Sequence, residues 1–174
     1  MAQNGLLNRH TQSTTRLATM SDIEIRWQHA DFAQLSGREV FDMLRLRQAV
    51  FIVEQNCPYP DIDDADLEGS HLLAWQEGEL IACSRLLGPG ITYPNPSIGR
   101  VATAASHRGG GLGRRLMERS IALISQAYPD QAIKIGAQHY LEKFYMSLGF
   151  QTQSDVYLED GIPHIDMLRP ANTQ

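Results

Sequence analysis

Cysteine is nearly absent: the 174 residues hold two, Cys57 and Cys83. That excludes a disulfide-dense secreted scaffold and a four-thiolate zinc site. Basic charge is also short. Fifteen Lys and Arg against twenty Asp and Glu leave a formal net charge of −5, which disfavours a nucleic-acid binder that works through overall positive charge. No apolar run approaches the ~18 residues of a membrane span. Residues 1–20 hold no apolar run longer than Leu6-Leu7, well short of the ~7-residue apolar core of a signal peptide. They read as a disordered extension, with Met20 as an alternative start, and the expected compartment is the cytoplasm. The remainder has a soluble balance, 43% hydrophobic and 20% charged, and fits one domain over residues 21–174.

The patterning alternates between two periods. Ile23 to Trp27 alternates apolar and polar residues, the period of a half-buried strand. Ser36 followed by Glu39 is a capping-box signal, and the apolar spacing after it predicts a helix over 37–49. Glu54 to Gly69, with Pro58, Pro60 and many aspartates, reads as a long loop. The apolar runs 71–75 and 80–87 flank Glu77-Gly78-Glu79 and read as a hairpin. Ser97 to Thr103 reads as a further strand. Leu112, Leu116, Met117, Ile121 and Ile124 form a helical stripe that ends before Pro129. Residues 132–137 then read as a strand, 140–148 as a helix stopped by Gly149, 150–158 as a strand and 164–168 as the last strand. This order argues for an α/β protein with a mixed sheet, of α+β type, rather than a doubly wound parallel one.

The most distinctive stretch is Arg108-Gly109-Gly110-Gly111-Leu112-Gly113-Arg114-Arg115, between a predicted strand and the long predicted helix. Consecutive glycines let the backbone approach a ligand closely and take positive φ. The free N–H groups that open the next helix favour an anion, and Arg108, Arg114 and Arg115 add positive charge. Physically this is a phosphate or pyrophosphate cradle; a glycine-rich turn that only caps the helix is the alternative. A Walker loop needs Lys and then Ser or Thr after its last Gly, where Arg114-Arg115 stand. The dinucleotide fingerprint needs a sixth-position Gly, where Arg114 or Leu116 stands. Both motifs fail.

Arg108-x-x-Gly111-x-Gly113 after a strand resembles the acetyl-CoA signature of the GNAT N-acetyltransferase superfamily. Phe144 to Phe150 resembles that superfamily's helix ending in Tyr-x-x-x-Gly-Phe. Gln138 stands seven residues before this Tyr, where the superfamily often has an Asn that contacts pantetheine. Leu46 to Tyr59, the acidic run after it, Ile135 to Gln138 and Gly161 to His164 resemble the ElaA-like branch. The resemblance implies a GNAT fold: a mixed, mostly antiparallel sheet of six to seven strands, splayed between the fourth and fifth and flanked by helices. It implies acetyl-CoA as co-substrate and no metal. Pantetheine would pair with backbone near Val101 and Thr103. Pyrophosphate would lie on the amides of Arg108, Gly109, Gly110, Gly111, Leu112, Gly113 and Arg114. An amine would then attack the thioester directly, a backbone N–H on the fourth strand would stabilise the oxyanion, and Tyr145 would protonate the leaving thiolate. A core aromatic is the alternative for Tyr145.

The general base stays open among Glu54, His71, His139 and His164, each with a structural alternative. Glu54, at the end of the first helical region, is preferred. Asp61-Ile62-Asp63-Asp64-Ala65-Asp66-Leu67-Glu68 fails as a calcium loop, having Ala65 and Asp66 where Asp or Asn and then Gly are required. It reads either as a solvated acidic turn or as a lip that steers a cationic amine. The expected activity is transfer of an acetyl group from acetyl-CoA to a primary amine. The rival is a non-catalytic acyl-CoA-binding module on the same fold. Neither nucleic acid nor membrane is expected as a partner, and a homodimer is left open.

Overall fold

A computed structural model describes residues 24–171; the expected N-terminal extension and the start of the first expected strand lie outside them. The elements run β1 (Arg26–Asp31), α1 (Gly37–Arg47), a π-helical segment (Gln48–Glu54), α2 (Ala65–Glu68), β2 (Ser70–Gln76), β3 (Glu79–Leu87), β4 (Ser97–Thr103), α3 (Leu112–Ala127), β5 (Ile133–Gln138), α4 (Glu142–Met146), β6 (Gln151–Thr152), β7 (Tyr157–Glu159) and β8 (Ile162–Arg169). They build one sheet in the order β1-β2-β3-β4-β5-β8-β6, with β7 also paired to β8. Every pairing is antiparallel except β4 with β5.

Local chemistry explains the helix starts. The Ser36 N–H donates to Glu39 Oε2 at 2.8 Å, and the Glu39 N–H donates to Ser36 Oγ at 3.3 Å, so the capping box forms as the spacing predicts. The helical run continues beyond residue 49, however, as the π-helical segment to Glu54. It stops at Asn56, whose φ of 49° is a left-handed conformation that Asn tolerates better than most residues. The strand expected over 150–158 is broken into β6 and β7. Ser154 Oγ accepts the Asp166 N–H at 2.9 Å and the Gln153 N–H donates to the Asp166 carbonyl at 2.8 Å, so a side chain replaces one ladder bond.

Helices cover both faces of the sheet. On one face Met43, Leu46 and Val50 pack against Leu73, Trp75, Cys83 and Ala102. On the other, Leu112 and Leu116 of α3 meet Leu72, Ala74 and Ile81, while Met117, Ile121 and Ile124 meet Ile98, Ile133, Ile135 and Met167. Burying each such side chain contributes about 1.5–3 kcal/mol, so α3 is anchored along its length. That anchoring sets the direction in which its N-terminus points.

The sheet opens in its middle. Between β4 and β5 the one register pair is Ser97 with Lys134, whereas β4 stays paired to β3 as far as Thr103. The register shift between Cys83 and Arg85 faces Arg100, which holds φ at 50°. This bulge bends β4 away from β5, and the two strands diverge toward the glycine-rich loop.

Candidate active site

The expected acidic lip turns inward and is neutralised. Arg47 from α1 is 1% exposed and bonds Asp61 at 2.9 Å and Asp66 at 2.7 Å. Arg85 from β3 bonds Asp66 at 2.9 Å and also Asp63. Arg100 from the β4 bulge reaches Asp61 at 2.9 Å and Asp63 at 3.2 Å. Three arginines thus cancel three aspartates. Asp61 and Asp66 are buried rather than solvated or presented to a ligand, whereas Asp64 and Glu68 stay exposed. Burial alone would raise the Asp66 carboxyl, but Arg47 and Arg85 outweigh it and hold it below the usual carboxylate range. The Asp61 carbonyl also accepts from Arg100 Nε at 3.2 Å, so the network pins the backbone bulge where the sheet splays.

At the far end of the slot lies the glycine loop. Gly109 and Gly111 take φ of 84° and 80°, which glycine adopts without strain. Gly111 is the N-cap of α3, with no capping side chain and no acidic residue in the first turn. The first amides of a sixteen-residue helix therefore face outward unclaimed, and an anion is the partner they favour. A Cβ added at Gly109, Gly110 or Gly111 would meet nothing within 4 Å, so the cradle is open on its ligand side. Leu112 buries its side chain in the core and offers backbone only. Arg114 lies against α4, its guanidinium donating to Ser147 Oγ and standing 5.9 Å from the Phe144 ring centre.

A cleft of about 570 Å³ joins this loop to the splayed strands, within the range of ligand pockets. Val101 and Thr103 line it from β4, Gly136 and Gln138 from β5, and Gly113 from α3. Tyr145 also lines it, with its ring set edge-on to Phe144 and Phe150 at 5.1 and 6.0 Å. Burial pushes the Tyr145 phenol up to about 12, so it stays protonated at neutral pH.

The four base candidates separate. Glu54 lines the cleft, but both its oxygens accept from Arg108, at 2.6 and 2.9 Å. Those bonds hold its carboxyl below the usual range, which weakens it as a proton acceptor. His71 is buried away from the cleft, with Nε2 donating to the Asp66 carbonyl at 3.0 Å. His139 stands outside the cleft beside Glu142 at 3.8 Å. His164 lines it. If Glu54 only positions Arg108, Glu54→Gln should change turnover with an amine by less than about tenfold, whereas loss of a true base costs ~10²–10⁴. Steady-state kinetics at saturating donor checks this.

Several contributors carried no readable signal. Arg47, Arg85, Arg100 and Tyr59 build the support of the cleft, and Glu159 and Asp160 stand at its far mouth.

The model for the acetyltransferase (GNAT) domain matches residues 46–169. Protein ElaA of Escherichia coli K12 is 43% identical over 147 residues, covering 83% of this chain and 96% of that one. The crystal structure of E. coli ElaA superposes with a TM-score of 0.79 at 41% identity, covering 84% and 99% of the two chains. An acyl-CoA N-acyltransferase from Pseudomonas aeruginosa superposes at 0.80 with 40% identity and the same coverage. The AHL synthase LasI, 18% identical with a TM-score of 0.69 over 86% of this chain and 91% of its own, shares the fold alone. A sheet splayed between β4 and β5, a glycine loop opening α3 and these matches agree: the chain belongs to the GNAT acetyltransferase family, in its ElaA-like branch.

Proposed function

We propose that the protein moves an acetyl group from acetyl-CoA to a primary amine by direct attack in a ternary complex. The observation that carries this reading is the open slot. The free edge of β4 from Gly99 to Thr103 offers backbone bonds to a pantetheine amide, and the slot leads to unclaimed amides at the start of α3. Val101, Thr103 and Gln138 would hold pantetheine. The amides of Arg108 to Arg114 would hold the pyrophosphate, with Arg114 contributing through its backbone.

The amine nitrogen attacks the thioester carbon, and the carbonyl electrons move onto oxygen, where a β4 backbone N–H stabilises them. Collapse expels the thiolate, and the Tyr145 hydroxyl supplies its proton. A phenol at about 12 is a weaker acid than an ordinary thiol, but the slot that buries Tyr145 would desolvate the thiolate too. Cys57 and Cys83 are free thiols, which fits the cytoplasm as the working compartment.

Free-thiol release from acetyl-CoA across a panel of primary amines tests the reading. Release with an amine supports the enzyme. Acetyl-CoA binding without release from any amine favours the non-catalytic module instead. The cradle has its own test. Gly111 sits at positive φ, so any side chain there mixes strain with charge; Gly110 has open space and no such constraint. Gly110→Asp should weaken acetyl-CoA binding at least tenfold by calorimetry, while Gly110→Ser stays near wild type.

A further inference from the structure

We propose that His164 is the general base of this reaction, accepting the acceptor nitrogen's proton at Nε2. The inference rests on the acetyl-transfer reading and names the residue that reading left open. Three features converge on it.

The first is tautomer. His164 Nδ1 lies 2.8 Å from the Ile162 carbonyl oxygen. A carbonyl only accepts, so Nδ1 carries the hydrogen and the neutral ring keeps its lone pair on Nε2. Among the described residues no donor occupies that lone pair, and the side chain lines the cleft.

The second is position. His164 is the register partner of Gln138, one strand over on the same sheet. On β8 the buried residues Ile165 and Met167 alternate with His164 and Asp166, so the imidazole shares its face of the sheet with Asp166. Tyr145, Gln138, Gly136 and His164 all line one cleft, which places the proposed acid and base in the same cavity.

The third is orientation. The imidazole stacks on the Tyr157 ring, with centroids 6.1 Å apart and planes 28° apart. Tyr157 is itself tethered, its hydroxyl donating to Asp166 Oδ1 at 3.1 Å, and Asp166 is paired to Lys134 at 2.7 Å. The ring that must receive a proton is thus held from two directions.

The charged and titratable groups around this end of the cleft are Tyr157, Glu159, Asp160, Asp166, Arg100 and Tyr59, with Tyr93 and Lys134 beside Gly136 and Asp166. Burial raises Tyr157 and Tyr59. Asp166 is engaged by Tyr157 and Lys134, and Arg100 by Asp61 and Asp63. Histidine is the side-chain type whose charge change ordinarily falls between pH 5 and 8.

The step balances. As the N–C bond forms, the nitrogen lone pair is committed and its N–H becomes far more acidic than that of an ammonium. That proton passes to Nε2, giving a neutral amide nitrogen and an imidazolium. The departing thiolate takes the Tyr145 proton and leaves as coenzyme A thiol, and the imidazolium proton, relayed through water, restores the Tyr145 hydroxyl.

The test uses the full chain and an amine accepted by the wild type. His164→Gln should lower kcat/KM for the amine by about 10²-fold or more at neutral pH and abolish the acid limb of its pH profile between pH 5 and 8. Acetyl-CoA affinity by calorimetry should be unchanged, and His139→Gln should match the wild type throughout. Nitrogen-15 spectra of the imidazole at pH 8 should show the Nδ1-protonated tautomer, a readout independent of turnover. A His164→Gln enzyme that keeps both rate and acid limb overturns the base. So does the opposite tautomer. A wild type that binds acetyl-CoA yet acetylates no amine overturns the acyl-transfer reading, and with it the base, even where the tautomer is as expected.

Discussion

Replacing Asp66 with Asn should lower the melting temperature by roughly 6–20 °C. The substitution keeps shape and removes one charge, leaving the Arg47 and Arg85 guanidiniums, 1% and 5% exposed, without their shared partner. Breaking a buried ion pair from one side costs about 3–5 kcal/mol, and each kcal/mol shifts a domain of this size by about 2–4 °C. Against a total stability of about 5–15 kcal/mol, that is a large fraction. Differential scanning calorimetry reads the loss directly. A shift under about 2 °C would mean that the arginines find water or other partners.

Acid should act on the same network in two stages. The folded-state value of Asp66 lies below its unfolded one, so the unfolded chain binds more protons through that interval. Its contribution is complete above about pH 4 and is lost as pH falls through the depressed value. His71 is also lowered, because burial disfavours its cationic form. Its contribution is complete above about pH 6.5 and declines below it. Melting temperature followed from pH 8 to pH 3 should fall first through the histidine window and then below pH 4. His71→Gln should remove the first decline, and Asp66→Asn should flatten the second.

Tyr145→Phe should lower turnover about 10²-fold, the low end of what a positioned general acid contributes. The substitution keeps the ring that packs on Phe144 and Phe150, so packing alone predicts near wild-type rates. The low end is expected because a thiolate leaves tolerably without full protonation and water can partly substitute. The telling comparison sets kcat against the acetyl-CoA dissociation constant in one variant. A large fall in kcat with binding unchanged identifies the acid. Unchanged kcat makes Tyr145 a core aromatic, and Tyr140, 76% exposed and also lining the cleft, becomes the next phenol to test.

The sequence by itself determined what depends on near neighbours. Ser36 and Glu39 are three residues apart, and their reciprocal bonds close one helical turn wherever that turn sits. Ser97 to Thr103 forms β4 at the expected bounds. The glycines from 109 to 113 and the apolar stripe of α3 specified a loop feeding a helix start. Anion-ready amides follow from that order alone, without knowledge of the rest of the chain. These features rest on backbone geometry and on spacings of a few residues.

Only the tertiary structure decided which charges survive at the surface. Asp61 and Asp66 meet Arg47 across 14 and 19 residues, and Asp61 and Asp63 meet Arg100 across 39 and 37, a distance at which no periodicity carries information. Charge sums along the chain register an acidic run in either case; folding determines whether that run steers a ligand or cancels buried arginines. Glu54 changed role for the same reason, because Arg108 lies 54 residues away and claims both its oxygens. The sequence preferred Glu54 and offered His164 among three further candidates; the Ile162 carbonyl sets its tautomer and the β5–β8 register its place beside the cleft. A side chain's type limits the protons it can hold, but its neighbours in space decide whether it holds them at the reacting atom.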